Sequence, residues 1–171
     1  KVGCNWTALP GVEYCLQDVT RQCLVAPFQH AFNDVIRHEQ SSGEAPTMDR
    51  LWTRYLHHLA VGVDALKRGK DWHMEHHSRY TAEIVLNLFM HGTVERGLDV
   101  AEGGVDIYNL TVDGLGTATV ADSFAAIEQR IVHESRMSWQ ELAEQLENDW
   151  ENAEDIRLMM KSIARFGTGG S

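Results

Sequence analysis

The residues best suited to chemistry stand almost at the start of the chain, where Gly3 precedes Cys4. A glycine lets a neighbouring cysteine sit at the tip of a tight loop and approach another backbone closely. Such a sulfur can act as a nucleophile, a metal ligand or a radical carrier. A nucleophilic thiolate needs a nearby histidine or helix N-terminus to lower its pKa, and the nearest downstream histidine is His30. The apolar neighbours of Cys4 instead favour a buried, neutral thiol that carries a hydrogen atom.

Several polar and aromatic side chains surround the three cysteines in sequence: Trp6, Glu13, Tyr14 and Arg21. They are either loop residues in mixed packing or the lining of a pocket around Cys4, and the sequence leaves both interpretations open. An arginine binds a carboxylate through two parallel hydrogen bonds, so Arg21 is a candidate for a carboxylate substrate. We predict Trp6, Glu13 and Arg21 as candidate substrate-binding residues.

Nine histidines offer a second kind of chemistry. His73 and His77 are four residues apart, a spacing that places two imidazoles on one helix face and could bind a metal. The order His-Met-Glu-His-His over residues 73–77 matches no zinc-protease pattern, so surface or interface histidines are the simpler interpretation. We therefore predict no metal site, and keep a metal-binding helical protein as one hypothesis.

The bulk composition limits the partners. With 171 residues and a net charge of −10, the chain is long enough for one domain with a core and lacks the cationic excess that nucleic-acid binding requires. No apolar run approaches the roughly 20 residues of a membrane span. Three cysteines without Cys-x-x-Cys spacing suit neither a disulfide framework nor a zinc site, so we expect a cytoplasmic protein. We expect no nucleic-acid and no membrane partner.

The apolar spacing predicts five or six amphipathic helices and one or two short strands. Residues 1–19 are predicted as loop with a turn at Pro10-Gly11, and a helix is predicted from Thr20 with Pro27 inside it. A second helix is predicted from Met48, capped by Thr47 and stopped at Gly69.

Further along, we predict a helix over residues 82–96, a strand over 105–110 and a turn over 113–116. Thr117 or Thr119 should cap another helix, and Ser138 to Glu141 form a capping box at the start of the next. A last helix carries Ile156 to Phe166. A sheet large enough to cover these helices is missing, so they form either a bundle or the outer shell of a barrel.

Four stretches together resemble the glycyl radical enzymes related to pyruvate formate-lyase. They are Gly3-Cys4, residues 97–109 (GLDVAEGGVDIYN), residues 114–127 (GLGTATVADSFAAI) and Phe166-Gly167. The first is similar to the loop of the family's thiyl-radical cysteine, and the third is the most specific. The matches keep the family's order along the chain.

The resemblance implies a fold and a mechanism. The fold is a ten-stranded α/β barrel wrapped in helices, of which residues 1–171 would be a partial barrel domain without the glycyl radical domain. Cys4 is the implied catalytic residue, and Tyr108 joins the substrate-binding candidates. A radical-SAM activase would install the glycyl radical outside this segment, so no bound cofactor is expected here. Other implied partners are a small-molecule substrate and a second copy in a homodimer.

One position departs from the family pattern. Many lyase and dehydratase members have Gly-Cys-x-Glu, and the residue at the place of that glutamate is Trp6, which cannot take a proton in this role. The sequence thus predicts a fragment of a lyase or acyltransferase that cleaves or forms C–C or C–X bonds anaerobically and is inactive alone, with Glu13 as a possible replacement base. The alternative is a self-contained helical interaction domain without catalytic activity.

Overall fold

The computed structural model describes residues 9–15 and 20–169, which are mostly helical as predicted. Seven α-helices lie in this part of the chain: α1 (Val25–Ser42), α2 (Met48–Tyr80), α3 (Ile84–Asn87), α4 (Thr93–Arg96), α5 (Thr117–Ile127), α6 (Trp139–Glu147) and α7 (Glu154–Lys161). Four short strands accompany them: β1 (Glu13–Cys15), β2 (Thr20–Cys23), β3 (Ile107–Asn109) and β4 (Val112–Leu115). A 3₁₀ turn spans Val100–Glu102, and a π-helix, Glu128–His133, continues α5.

The first part of the chain differs from the prediction at two points. Residues 13–15, predicted as loop, form β1 directly after the predicted turn at Pro10-Gly11. The helix predicted from Thr20 begins only at Val25, because β2 pairs with β4 before it. Pro27 lies in the first turn of α1, where a missing N–H leaves no helical hydrogen bond unmade.

Helix α2 begins as predicted, with Thr47 Oγ1 accepting a hydrogen bond from the Arg50 amide at 3.2 Å. The predicted stop at Gly69 is wrong, because the helix continues to Tyr80. Two ion pairs of i,i+4 spacing lie around the glycine: Arg68–Asp64 at 3.3 Å precedes it, and Lys67–Asp71 at 2.7 Å spans it. A glycine inside a helix costs about 1 kcal/mol relative to alanine, and 33 residues of helix absorb that cost.

The helix predicted over residues 82–96 is two short helices, α3 and α4. Two features separate these helices. The Asp99 side chain accepts a hydrogen bond from the Glu83 amide at 2.9 Å, at the start of α3. Gly92 has a φ of 95°, which is incompatible with a continuing helix. The predicted end at Gly97 is confirmed, with φ 63°.

The predicted strand over residues 105–110 is confirmed in its centre as β3. The turn predicted over 113–116 is wrong, because residues 113–115 belong to β4. The predicted threonine cap is also wrong, because Gly116, with φ 87°, is the N-cap residue of α5. The capping box at α6 is confirmed, since Ser138 Oγ accepts from the Glu141 amide at 3.1 Å and the Glu141 carboxylate accepts from the Ser138 amide at 2.6 Å.

The chain divides into two compact units, one of residues 1–22 and 63–113 and the other of residues 23–62 and 114–171. In the described part of the first unit, a small apolar core surrounds Tyr14, Val100, Ala101 and Val105. The larger core of the second unit draws on α1, the first part of α2, α5, α6 and α7. None of the helices in the described part of the chain has the combined length and apolar character needed to cross a membrane.

A buried arginine ties the end of the second unit together. Arg130 is 6% exposed, and its guanidinium donates to the Met159 carbonyl at 3.1 Å, to Ser162, and to both oxygens of Glu134. These bonds hold the π-helical extension of α5 against the end of α7. The same unit has an open cavity of about 1220 Å³ lined by α1, α5, α6 and α7, and the lining includes none of the described candidate residues Glu13, Arg21 and Tyr108.

Candidate active site

Two parallel strands of the first unit carry the candidate site. β1 pairs with β3 in a register that sets Glu13 beside Ile107, Tyr14 beside Tyr108 and Cys15 beside Asn109. Successive side chains of a strand point to opposite faces, so the two tyrosines share one face, and the other two cross-strand pairs share the opposite face.

The tyrosine face belongs to the core of the first unit. The rings of Tyr14 and Tyr108 lie 5.3 Å apart, and the Tyr14 hydroxyl donates to the Glu83 carboxylate at 3.2 Å. Burial, followed by the nearby carboxylate of Glu83, raises the pKa of Tyr14 above its ordinary value. Burial likewise raises the pKa of Tyr108, whose buried hydroxyl has no hydrogen-bond partner among the described residues. Both phenols are therefore neutral at physiological pH, and Tyr108 retains a free hydrogen-bonding group.

The opposite face is organised by the Glu13 carboxylate. Its Oε1 accepts a hydrogen bond from Asn109 Nδ2 at 2.7 Å, and its Oε2 accepts one from the Leu9 amide at 3.1 Å. Glu13 thus joins β1 to β3 and both to the turn before β1. Because both carboxylate oxygens already accept hydrogen bonds, the geometry assigns Glu13 the role of linking these three segments.

Cys15 is the cysteine of this strand pair. Its thiol is partly buried and forms no disulfide bond. Burial and the negative charge of Glu13 raise the pKa of the thiol, and the positive charge of Lys70 opposes this increase. The thiol is consequently protonated at neutral pH, so a nucleophilic thiolate is not favoured at this position.

Asp99 positions the segment that leads into β3. Its carboxylate accepts hydrogen bonds from the Ala101 amide (2.9 Å), the Glu83 amide (2.9 Å) and the Asn87 side chain (2.8 Å). Burial alone would raise the pKa of Asp99, but these three donors outweigh it and hold the pKa below its ordinary value. The carboxylate is charged at neutral pH and joins α3 to the 3₁₀ turn.

A glycine in the same segment permits close backbone packing. A Cβ at Gly104 would overlap the carbonyl oxygens of Leu98 and Asp99. The Arg96 guanidinium donates to the Gly104 carbonyl at 3.0 Å and pairs with Asp106 just before β3. The resemblance to the family over residues 97–109 therefore coincides with the scaffold that sets the direction of β3.

The two histidines considered for metal binding contact each other. His73 Nε2 and His77 Nδ1 are 3.0 Å apart, in hydrogen-bond contact, so these two nitrogens are not directed at a common metal ion. Burial, then the neighbouring His77 and Lys70, lowers the pKa of His73. Across residues 9–15 and 20–169, no group of three or more His, Cys, Asp or Glu side chains could hold a metal ion.

The structure brings only some of the predicted site residues together. Glu13 and Tyr108 lie on adjacent strands but on opposite faces of the pair. Arg21 is exposed on β2, which pairs with β4. Cys4 and Trp6 lie outside the described residues.

Sequence reasoning missed two residues that shape the site. Asn109 and Asp99 both lie inside the stretch that carried the family resemblance, yet neither was predicted to have a role of its own. For Asp99, the available signal was a carboxylate two residues after Gly97, a placement typical of side chains that bond to backbone N–H groups in turns. For Asn109 the sequence offered no such signal, because its partner Glu13 lies 96 positions away.

The comparisons with known proteins agree with this architecture. The chain has the fold of part of the α/β barrel of glycyl radical enzymes, as the fold-class prediction stated. It belongs to the pyruvate formate lyase-like family, whose sequence model matches residues 2–170.

Among curated relatives, the chain is 25% identical over 125 residues to isethionate sulfite-lyase of Desulfovibrio desulfuricans, covering 71% of this chain and 15% of that protein. Among solved structures, it is similar to a Roseburia inulinivorans protein described for 1,2-propanediol dehydration (TM-score 0.73, 18% identity, 94% of this chain and 22% of that one). It is also similar to the B12-independent glycerol dehydratase of Clostridium butyricum (TM-score 0.66, 18% identity, 92% and 21%). The chain spans about one fifth or less of each relative.

Proposed function

We propose that this chain is the part of a glycyl radical enzyme that carries the thiyl-radical cysteine, Cys4. The observation that supports this most is the family match across residues 2–170, which includes Gly3-Cys4 a few residues before β1. The parent enzyme would cleave or form a C–C or C–X bond of a small molecule, as a lyase or an acyltransferase. The isolated chain would be inactive.

The proposed chemistry moves single hydrogen atoms. A glycyl radical, installed by a radical-SAM activase in a part of the enzyme outside this sequence, would supply the capacity to remove a hydrogen atom from a thiol. Cys4 loses one hydrogen atom, takes one from a substrate carbon and thereby becomes a thiol again. After the substrate radical has rearranged, Cys4 would return a hydrogen atom to the product radical. The sulfur would then take back the hydrogen atom that it first gave up, which restores both the thiol and the glycyl radical, so atoms and electrons balance over the cycle.

This role requires a neutral thiol, because a thiolate has no hydrogen atom to lose. Within the same strand pair, Cys15 shows that burial and a neighbouring carboxylate keep a thiol protonated. The acidic composition, with 25 Asp and Glu against 15 Lys and Arg, also disfavours thiolates in general. We propose that Cys4 is likewise a neutral thiol before it gives up its hydrogen atom.

Three residues bear on the proposed substrate class. Trp6 occupies the position where many members of the family have a glutamate base, so we propose a reaction that needs no base there: acyl transfer, radical addition or an aryl-type C–C cleavage. Tyr108 has an unpartnered hydroxyl and is the proposed hydrogen-bonding residue for a polar substrate group. Arg21 remains the candidate for a substrate carboxylate, and unchanged affinity for carboxylate substrates in Arg21→Ala would remove it.

The decisive experiment uses the full-length parent enzyme activated anaerobically by its activase. We expect Cys4→Ala to abolish turnover while the glycyl radical signal in electron paramagnetic resonance persists, because the variant loses the sulfur that passes the radical to the substrate. Cys23→Ala, which removes an exposed cysteine, is the matched control and should keep its activity. Turnover in Cys4→Ala comparable to the parent would contradict the proposal and favour the non-catalytic alternative.

A further inference from the structure

The end of α2 contacts the core of the first unit through two histidines, His73 and His77, which we call the histidine pair. Nε2 of His73 and Nδ1 of His77 lie 3.0 Å apart, within hydrogen-bond distance. His77 is 6% exposed, and its ring meets the ring of Tyr14 edge to face, with 6.5 Å between the ring centroids. The pair therefore connects α2 to the tyrosine face of β1 and β3.

The outer nitrogen of His77 has no partner. Its Nε2 is buried, and no hydrogen bond reaches it from any described residue. A hydrogen on this nitrogen would be a buried donor without an acceptor, and the cost of such an unpaired group is larger when it is charged. The neutral pair avoids this donor when His77 carries its hydrogen on Nδ1 and donates it to His73.

The hydrogen bond within the pair limits the places for an added proton. An N–H···N bond has one hydrogen on the two facing nitrogens, so a third hydrogen on the two rings leaves hydrogens on both outer nitrogens. Proton uptake with the contact intact therefore puts a hydrogen on the buried Nε2 of His77, in a pair that now carries a positive charge. Otherwise both facing nitrogens carry a hydrogen, and the two rings repel each other.

Charged groups around the pair act in opposite directions. Burial, then His77, then Lys70 of α2 lower the pKa of His73, so this side of the pair resists protonation. Asp99, at the start of the 3₁₀ turn, lies near enough to His77 for their charges to interact, and this favours a proton on His77. The Asp99 carboxylate accepts hydrogen bonds from other donors and none from His77, so it offers charge without an acceptor for Nε2.

The remaining titratable groups near His77 are engaged elsewhere. Tyr14 faces His77 from β1 and is neutral, and its hydroxyl donates to the carboxylate of Glu83, just before α3. Glu102, at the end of the 3₁₀ turn, accepts a hydrogen bond from Ser78, the residue after His77. Neither carboxylate accepts a hydrogen bond from Nε2 of His77.

We propose that the histidine pair is a pH-sensitive contact, which holds the end of α2 on the core of the first unit at neutral pH and loosens when the pair takes up protons. This inference goes beyond the proposed function, because it requires neither a substrate nor radical chemistry. The pKa of folded His73 lies below its ordinary value, so its contribution to stability is complete above the unfolded pKa of about 6.5 and is lost as the pH falls through the folded value. The end of α2 should therefore open more often in mildly acidic solution.

The first test is the position of the hydrogen on His77 in the 171-residue chain at about pH 7.5, where imidazoles are mostly neutral. Nitrogen-15 chemical shifts distinguish a ring nitrogen that carries a hydrogen from a bare one. We expect a hydrogen on Nδ1 and a bare Nε2. A hydrogen on Nε2 at this pH would overturn the inference, because the buried donor would then exist without any proton uptake.

The second test is amide hydrogen exchange over residues 77–81 at about pH 7.5 and about pH 5.5, a range above the titration of carboxylates. After correction for the intrinsic pH dependence of exchange, we expect protection to fall roughly tenfold at the lower pH. The reason is that an opened segment takes up a proton on a histidine of ordinary pKa, about 6.5, which the closed pair keeps neutral. Unchanged protection over residues 77–81, or an equal fall throughout α6, would contradict the inference.

The double variant His73→Gln/His77→Asn removes both titrating groups and keeps a contact of the same kind. A glutamine amide reaches the place of an imidazole Nε2 and an asparagine amide that of Nδ1, so the two can form an N–H···O bond. We expect protection over residues 77–81 to change less than about twofold between the two pH values, because no proton is taken up on opening.

His57→Gln, which removes an exposed histidine from the same helix, is the matched control and should keep the tenfold fall. A tenfold fall that persists in the double variant would assign the pH effect to another group and overturn the inference. If the double variant does not fold, the two tests on the unmodified chain decide.

Discussion

At the scale of single residues, Asp99 does more to organise the described part of the first unit than any predicted site residue. Its carboxylate satisfies two backbone amides and one side-chain amide from three places in the sequence. Because these donors are at the start of α3, within α3 and in the 3₁₀ turn, Asp99 fixes the approach to β3 and thus the position of Tyr108 and Asn109. A short polar side chain here determines the placement of residues up to ten positions later.

We predict that Asp99→Asn lowers the free energy of unfolding by about 2 kcal/mol at pH 7, since an asparagine cannot accept from donors on both sides of its side chain. The pKa of folded Asp99 lies below its ordinary value, so its contribution to stability is present above the unfolded pKa of about 3.9 and is lost as the pH falls through the folded value. Urea denaturation of both proteins between pH 7 and pH 2 is the measurement.

The difference between parent and Asp99→Asn should therefore shrink as the pH falls below about 4. Asp113→Asn, at an exposed carboxylate of β4, is the matched control and should shift stability little at either pH. An Asp99→Asn penalty that stays constant down to pH 2 would show that the charge of Asp99 is not the source of its effect.

At the scale of elements, glycines have opposite roles within the first unit. Gly69 lies inside α2 with open space around it, whereas a Cβ at Gly104 would overlap two backbone carbonyls. Gly69 lowers helix stability, and no neighbouring atom requires a glycine there. Gly104 must be a glycine because the backbone of Leu98 and Asp99 lies too close for a side chain. Sequence patterns treat both as chain breakers, and only packing distinguishes them.

We predict that Gly69→Ala stabilises the chain by about 1 kcal/mol, the propensity difference inside a helix. Gly104→Ala should destabilise it by about 2 kcal/mol or more, because backbone carbonyls cannot move aside as a flexible side chain can. Thermal denaturation monitored by circular dichroism tests both, and each variant serves as the control for the other. Equal effects of the same sign would contradict this assignment.

At the scale of the whole molecule, the first unit exposes unusual apolar surface. Ile84, Val85, Leu88, Phe89 and Val94 are each about 70% exposed. Large exposed apolar patches mark places where other protein is expected to bind. Since the chain spans about one fifth of the solved relatives, we expect these side chains to be covered in the parent enzyme.

We predict that the isolated chain binds an apolar fluorescent dye through these residues. Leu88→Ser/Phe89→Ser should reduce dye fluorescence clearly and change the free energy of unfolding by less than about 0.5 kcal/mol, because exposed side chains contribute little to folding. Leu158→Ser, at an exposed leucine on α7, should leave the fluorescence nearly unchanged. Undiminished dye binding in the double variant would place the apolar site elsewhere.

Local chemistry explains which elements were predictable from the sequence. The capping box at Ser138, the Thr47 cap and the helix end at Gly97 depend on contacts between residues within one turn, and all three are confirmed. The helix over residues 82–96 was wrong because a distant partner, the Asp99 side chain, decides where α3 begins. The stop at Gly69 was wrong because a helix of 33 residues, with ion pairs four residues apart around the glycine, absorbs the cost of one glycine.

The sequence by itself determined the family, because motifs and their order along the chain can be read without knowing any contacts. The radical role of Cys4 stays a prediction. Only the tertiary structure decided that Glu13 links Asn109 to the turn before β1, because the two residues are 96 positions apart in the chain. It also decided that Tyr14 and Tyr108 share one face while Glu13 occupies the other. Strand register depends on backbone hydrogen bonds between distant segments, and no spacing along one chain encodes it.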